Sequence, residues 1–206
     1  QPPFRLLADS VGYIYAGTFS REYLAEVGQT LPRTRALIID LRTYPLNVDG
    51  ALIALIGQSL RTESVVVRQA LYQTLALPGL FYRQEQWLFE DFGEVAARCT
   101  EPYKGRVILL VDEMTQSNPE FQAMAFQSCP QTQTIGSPTS GANGSIVWIP
   151  LPGQLTSFSG IGVLYPDGTQ PQTVGVRLDV EVLPTAEGLQ AGRDEVLERA
   201  LELARQ

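Results

Sequence analysis

The residues that could do chemistry lie between positions 105 and 144. An apolar run, GRVILLVDE, leads through Met-Thr-Gln to Ser117, after which come a helical pattern from Asn118 and the segment TIGSPTSGANG. This order predicts that Ser117 stands at a strand-to-helix turn, beside backbone N–H groups that have no partner within the helix. A serine hydroxyl at such a turn can attack a carbonyl carbon while the N–H groups stabilise the oxyanion that forms.

A nucleophilic serine needs a base, and this chain offers few candidates. It contains no histidine, and Lys104 is its only lysine. Lys104 lies in a Tyr-Lys-Gly segment typical of a solvated turn, and nothing in the sequence around it suggests the burial that would lower its pKa toward neutrality. Asp112 and Glu113, at the end of the apolar run, could orient a base or interact favourably with nearby helix N–H groups.

Ser117 also has a purely structural interpretation. Ser117-Asn-Pro-Glu120 has the spacing of a capping box, in which the serine hydroxyl accepts a helix N–H and the glutamate reaches back. Judged on this spacing alone, a helix cap is the commoner role. The nucleophile hypothesis therefore depends on the wider pattern of motifs.

Composition limits the class of protein. At 206 residues and 44% hydrophobic, the chain can bury roughly 70% of its unfolded surface, which suits a single domain. With 15 basic and 22 acidic residues its net charge is −7, which opposes binding to nucleic acid. No apolar run approaches the roughly 18 residues that span a bilayer, and the first residues do not resemble an export signal, so such a signal is expected to be absent or already removed.

Cys99 and Cys129 are the only cysteines, too few for a zinc site in a chain without histidine. We predict neither a metal nor another cofactor. The two cysteines could form a disulfide in an oxidising compartment or remain buried thiols.

Apolar patterns alternate between strands and helices. Helical patterns run from Ser20 to about Leu31, from Asp49 to about Leu60, over 88 to 98, onward from Ser117, and from Gly192 to the end. A tight turn is predicted at Tyr165-Pro-Asp-Gly. Strand patterns are VGYIYAG, ALIIDL (36 to 41), SVVVRQALYQ, residues 106 to 112, QTQTIG, SIVWIPL and GVRLDVEV. This alternation predicts an α/β layered domain with a mainly parallel sheet.

Six motifs occur in one order: the segment from Y-K-G-R-V through D-E-x-T-x-S-x-x-E, then I-G-S-P-T-x-G, Y-P-D-G-T, G-V-x-x-D-V, V-x-P-T and A-G-R-D-E-V-L. This order resembles the tail-specific, or carboxy-terminal processing, serine proteases, and among them the tricorn-like branch. The resemblance covers roughly residues 12 to 204. It implies a crotonase-like or ClpP-like α/β spiral.

The resemblance also implies site residues. The serine of T-x-S-x-x-E is the family's nucleophile, which is Ser117 here. The oxyanion hole would use the amide of Asn118 and an amide in the loop after the family's D-L-R strand, which is 40 to 42 here. In that loop Leu46 is the first choice and Asn47 the alternate. For Asp40 and Arg42 themselves, a structural ion pair at the strand end is favoured over direct catalysis.

The sequence departs from the family at the base. In the serine-lysine branch the base stands in T-x-G-K-G, and Ala142 takes the place of that lysine. In the tricorn-like branch the base is a histidine from an earlier segment, and residues 1 to 206 contain none. The acidic residue that commonly precedes the G-V-x-P-D motif corresponds to the neutral Gln170 or Gln172, and the proline of that motif is Leu178.

Together these features predict the core of a periplasmic or secreted serine peptidase, a piece of a longer chain that cleaves peptides or unfolded protein tails. Its oligomeric state is left open. One alternative is a non-catalytic peptide-binding domain with the same fold. Another is a crotonase-type acyl-transfer enzyme, but the sequence shows no basic cluster for the phosphates of an acyl carrier.

Overall fold

The computed structural model describes residues 1–45, 65–69, 72–73, 81–82, 86–90, 103–127, 129–144, 146–159, 161–165 and 167–206. The strands are β1 Phe4–Leu7, β2 Val11–Tyr15, β3 Ala36–Asp40, β4 Val65–Gln69, β5 Tyr72–Gln73, β6 Phe81–Tyr82, β7 Gln86–Glu90, β8 Arg106–Val111, β9 Thr132–Gly136, β10 Ile146–Leu151, β11 Gln154–Ser159, β12 Ile161–Leu164 and β13 Val180–Glu181. The helices are α1 Leu24–Thr30, α2 Asn118–Gln127, α3 Ala186–Gln190 and α4 Glu195–Ala204. None of the helices described here is long and apolar enough to cross a membrane.

A six-stranded sheet in the order β1-β2-β3-β8-β9-β13 forms the centre of the fold. Only the β1–β2 pair is antiparallel; the other neighbouring pairs are parallel. The uninterrupted apolar runs of β3 and β8 put both strands in the middle of the sheet, where both faces are covered. The predicted α/β class with a mainly parallel sheet is confirmed.

Side chains alternate between two cores. One face of the sheet packs with α1 and α2 around residues such as Ile14, Leu37 and Phe126. The opposite face, including Ile38 and Ile108, packs against α4. The predicted stripe of the last helix is confirmed, since its members are buried or partly buried against this face: Val196, Leu197, Ala200, Leu201 and Ala204. Because β3, β8, β9 and β13 are parallel, their carboxyl ends meet at one edge of the sheet.

The described residues also form three smaller sheets: β12-β4-β7, β10-β11 and β5-β6. In the β10–β11 hairpin, Leu151 pairs with Gln154 across a two-residue turn of Pro152 and Gly153. Gly153 has a φ of +79°, which a glycine adopts without steric cost. The sequence analysis did not predict this hairpin. The tight turn predicted at Tyr165-Pro-Asp-Gly does form, with the Gly168 N–H donating to the Tyr165 carbonyl at 2.8 Å.

Two predicted elements are wrong in part. A helix over 88 to 98 is excluded at its start, because residues 86–90 form strand β7; 91 to 98 lie outside the described residues. GVRLDVEV is a strand only at Val180 and Glu181, because earlier residues of the segment bond to side chains instead of a neighbouring strand. The Val176 N–H donates to Thr139 Oγ1, and the Arg177 N–H to the Tyr165 hydroxyl. The helix predicted from Asp49 also lies outside the described residues.

Candidate active site

Ser117 lies at the carboxyl edge of the sheet, between the end of β8 at Val111 and the start of α2 at Asn118. This is the strand-to-helix turn that the sequence predicts. Its φ is +60°, a conformation uncommon outside glycine and costly to hold, which therefore has to be fixed by its surroundings. The Ser117 carbonyl accepts the Phe121 N–H at 3.0 Å, so the residue caps the helix through its backbone.

Thr115 ties the preceding loop to the neighbouring strand. Its side chain is fully buried, and its hydroxyl donates to the Leu41 carbonyl at 3.0 Å while accepting the Asp112 N–H at 3.0 Å. The Asp112 carboxylate accepts the Met114 N–H at 2.9 Å, and burial raises its pKa. These bonds hold the loop that carries Ser117 against the end of β3.

Glu120 joins the turn to a second loop. Its carboxylate is completely buried and accepts four hydrogen bonds, from the Ser117 N–H (3.0 Å), Thr139 Oγ1 (2.7 Å), the Gly141 N–H (2.9 Å) and the Ala142 N–H (3.0 Å). Four donors offset the cost of removing a carboxylate from water. The segment from 139 to 142 is thereby fixed beside Ser117.

The hydroxyl of Ser117 stays unused in this arrangement. Of the capping box, one half forms: Glu120 reaches back to the Ser117 N–H. The other half does not, because Ser117 Oγ makes no hydrogen bond with any residue that the structure describes. The backbone and Glu120 hold the turn without using the Ser117 hydroxyl.

Only one of the two proposed oxyanion donors lies among the residues that the structure describes. Asn118 is the first residue of α2, and its N–H donates to none of the described residues, as expected of a first-turn amide. Its side-chain Oδ1 accepts a bond from Gln122 Nε2 at 3.0 Å. Leu46 and Asn47 lie outside the described residues, so the convergence of two amides on one point stays a prediction.

Asp40 and Arg42 form an ion pair at the end of β3. Arg42 Nη2 donates to Asp40 at 2.7 Å, and the guanidinium also bonds both oxygens of Asp194, at 2.8 and 2.9 Å. Asp194 in turn caps α4 by accepting the Leu197 N–H at 3.0 Å. Although burial opposes the charge on Arg42, its bonds to the two carboxylates raise its pKa. The pair connects the start of the loop after β3 to the last helix, which is a structural role.

The buried Asp40 carboxylate has a further partner, since the Tyr13 hydroxyl donates to it at 2.6 Å. Burial, and then this bond, raise the pKa of Tyr13. The Asp40 carboxylate thus accepts hydrogen bonds from both Tyr13 and Arg42, which favours a positioning role.

Family comparison agrees with this geometry. Residues 10–182 match the profile of Peptidase family S41. The chain belongs to this family. No curated protein is similar enough to count as a match.

Solved structures share the S41 fold. A candidate peptidase from Parabacteroides merdae ATCC 43184 matches with a TM-score of 0.73 and 21% identity, over 98% of this chain and 63% of that one. Mature CPAF in complex with lactacystin has a TM-score of 0.69 and 16% identity, over 95% and 52% of the two chains. The photosystem II D1 C-terminal processing protease has a TM-score of 0.55 and 17% identity, over 87% and 45%. The S41 chain described here thus spans between 45% and 63% of these proteins.

Lys104 lies far from Ser117 in this S41 chain. It precedes β8, whereas Ser117 follows the other end of the same strand. Six residues at about 3.3 Å each separate the two ends by about 20 Å. Lys104 instead lines a cavity of about 550 Å³ at the amino edge of the sheet with Arg35 and Arg106. It does not serve Ser117 as a base.

The residues that the sequence resemblance assigns to the family's base and acid positions lie near Ser117. Ala142 is held by Glu120, and the next residue, Asn143, accepts a bond from Gln172 Nε2 at 2.7 Å. Gln172 Oε1 accepts from Gln170 Nε2 at 2.8 Å. Both glutamines are therefore near the rim of the site as neutral groups. Leu178 packs against the core, partly buried.

Sequence reasoning did not foresee that Glu120 joins two loops. It gave this residue one partner, Ser117, whereas the structure adds three donors from the segment 139 to 142. The available signal for these extra donors was the polar motif I-G-S-P-T-x-G that follows the helix. Asp194 was likewise not connected to Arg42, from which it is 152 residues distant in sequence.

Proposed function

We propose that this chain supplies the nucleophile and the oxyanion donors of a serine peptidase of the tail-specific, tricorn-like kind, with peptides or unfolded protein tails as substrates. The observation that carries the proposal is Ser117 itself. Its backbone is fixed at a φ of +60° by Glu120 and α2, yet its hydroxyl bonds to none of the described residues. A serine that served only as a cap would use that hydroxyl.

The reaction follows from this placement. A base removes the hydroxyl proton as Ser117 Oγ forms a bond to the peptide carbonyl carbon. The oxyanion accepts the Asn118 N–H and, in this proposal, the Leu46 N–H, each worth about 3 to 4 kcal/mol. The protonated base then gives its proton to the leaving amine, and water hydrolyses the acyl-enzyme.

The base comes from outside residues 1 to 206 in this proposal. The chain has no histidine, Ala142 cannot accept a proton, and Lys104 lies at the opposite edge of the sheet. We therefore expect residues 1 to 206 alone to be inactive or nearly so against peptides. They form one core domain of a longer periplasmic or secreted protein, and cell fractionation tests that location.

The second candidate is a non-catalytic peptide-binding domain. It is favoured by Ala142 and by the neutral Gln170 or Gln172, which stand where the family resemblance implies a base and an acid. In that case the site would bind a peptide without cleaving it.

Hydrolysis separates the two candidates. The full-length gene product that contains this chain should cleave labelled casein, and Ser117→Ala should lower the rate by about a thousandfold or more. Ser20→Ala, a serine next to Glu22 at the start of the first helical segment, is the control and should leave the rate unchanged. Equal rates for Ser117→Ala and the unsubstituted protein would reject the peptidase proposal.

A further inference from the structure

The β10–β11 hairpin exposes an apolar face. Cross-strand pairs place three large side chains on the same side: Ile146, Trp148 and Leu155 are 57%, 57% and 61% exposed. We name this side the hairpin face; it comprises Ile146, Trp148, Pro150, Leu155, Ser157 and Ser159. Within the described part of the chain, no third strand pairs with the hairpin.

Such a hairpin is costly to leave uncovered. A two-stranded sheet is marginally stable in water by itself, and clustered exposed apolar side chains mark a binding surface. Exposed strand edges are normally protected by charges. Here no Asp, Glu, Lys or Arg occurs from 121 to 166, although the chain has 37 charged residues in all. The hairpin thus lacks the charged side chains that commonly keep other chains away from a strand edge.

The hairpin starts close to the nucleophile. The N–H groups of Ser117 and Ala142 donate to the same oxygen of Glu120, at 3.0 Å each, so their nitrogens are at most about 6 Å apart. Ile146 follows Ala142 by four residues, which span at most about 15 Å. An extended peptide covers about 3.3 Å per residue. A substrate held at Ser117 therefore reaches the hairpin within a few residues of the cleaved bond.

We propose that the hairpin face binds an extended, uncharged, apolar stretch of the substrate, several residues away from the cleaved bond. Backbone groups of the peptide would pair with a free hairpin edge, and its apolar side chains would cover Ile146, Trp148 and Leu155. A charged side chain would lose its hydration here without a counter-ion from this segment. The inference rests on the proposed function, because the occupant is the substrate.

Charge favours a peptide over a second copy of the chain. Another copy carries the same net charge of −7, so two copies of the chain repel each other as whole molecules. An uncharged peptide has no such cost.

Binding can be measured without catalysis. The 206-residue chain with Ser117→Ala is titrated against a fluorescein-labelled, end-blocked hexapeptide of Ala, Val and Leu, and fluorescence anisotropy gives Kd. A second hexapeptide replaces two of the apolar residues by Glu. We expect the Glu peptide to bind at least about tenfold more weakly.

Variants locate the contact. Ile146→Thr and Leu155→Thr remove apolar surface while placing threonine, which suits a strand, at each position, and each should raise Kd about fivefold. Leu6→Thr is the matched control, since Leu6 is also 57% exposed in an antiparallel strand, and it should leave Kd unchanged. Equal effects of all three variants, equal affinity for the two peptides, or no binding would overturn the inference. So would a dimer in sedimentation that Ile146→Thr abolishes, because the hairpin would then cover itself.

Failure of this inference can be distinguished from failure of the proposed function. Peptide binding through the hairpin face, together with a full-length protein that does not hydrolyse casein, would reject the peptidase and keep the binding surface. Hydrolysis that depends on Ser117, without hairpin-dependent binding, would reject the surface alone.

Discussion

At the scale of single residues, Ser117 holds the start of a helix with its backbone and leaves its side-chain hydroxyl out of that task. Its carbonyl and N–H hold the start of α2, through Phe121 and Glu120 respectively. Its hydroxyl makes no bond with the described residues. This division is what the proposed nucleophile requires, whereas a serine that only caps a helix uses its hydroxyl.

Ser117→Ala should therefore change the free energy of unfolding by less than about 0.5 kcal/mol, because no hydrogen bond of the hydroxyl is lost. Urea unfolding of the two proteins measures the difference. A loss of about 1 kcal/mol would mean that the hydroxyl caps the helix.

Glu120→Gln should destabilise the fold by about 2 to 3 kcal/mol, because an amide NH₂ would face N–H and O–H donors in a fully buried place. Glu187→Gln, at an exposed position in α3, is the control and should cost less than about 0.5 kcal/mol. Urea unfolding of both variants measures the two losses of stability. Similar small losses would show that the four bonds of Glu120 contribute little.

The ion pair of Arg42 and Asp194 should make the free energy of unfolding fall at acidic pH. Although burial opposes ionisation of Asp194, its hydrogen bond with Arg42 lowers its pKa. Its contribution to stability is therefore present above the unfolded pKa of about 3.9 and is lost as pH falls through the lower folded value. Asp194→Asn keeps a good helix cap but removes the charge, so it should flatten the fall in unfolding free energy below about pH 4. An unchanged acid slope in urea unfolding would contradict this.

At the scale of elements, Gly136 shows how closely β9 approaches β8. Its φ is +134°, and a Cβ there would lie 1.8 Å from the Val111 carbonyl oxygen. Gly136→Ala should destabilise the fold by several kcal/mol or prevent folding. Gly28→Ala is the matched control: Gly28 lies within α1 with nothing within 4 Å of its added Cβ, and the change should stabilise by about 0.5 to 1 kcal/mol. Thermal unfolding compares them, and equal effects would contradict the assigned packing.

The elements differ in how well their sequences predict them. The apolar runs of β3 and β8 could be predicted as central strands, because a continuous apolar run indicates burial on both faces even when the neighbouring strands are unknown. GVRLDVEV has an alternating pattern, but Thr139 and the Tyr165 hydroxyl take its N–H groups, and such side-chain partners are invisible in spacing. The position of Ser117 at a strand-to-helix turn could be predicted because its signal lies in neighbouring residues. The bond between Glu120 and Thr139 could not, because it depends on tertiary structure.

At the scale of the whole molecule, charge is distributed unevenly. The three cations Arg35, Lys104 and Arg106 line a cavity at the amino edge of the sheet, while Ser117 lies at the carboxyl edge. The segment from 121 to 166 carries no charge. The described part of the carboxyl edge thus contains no histidine or lysine, and the uncharged segment begins just after Glu120.

The central claim is that Ser117 is a nucleophile activated by a base outside residues 1 to 206. Its most direct test is covalent labelling of the full-length protein by a fluorophosphonate, with the modified peptide located by mass spectrometry. We expect the label on Ser117 in the full-length protein, no label there in Ser117→Ala, and labelling slower by about a hundredfold or more in the 206-residue chain. Labelling of another residue in an active protein, or equal rates for the two lengths of chain, would contradict the account.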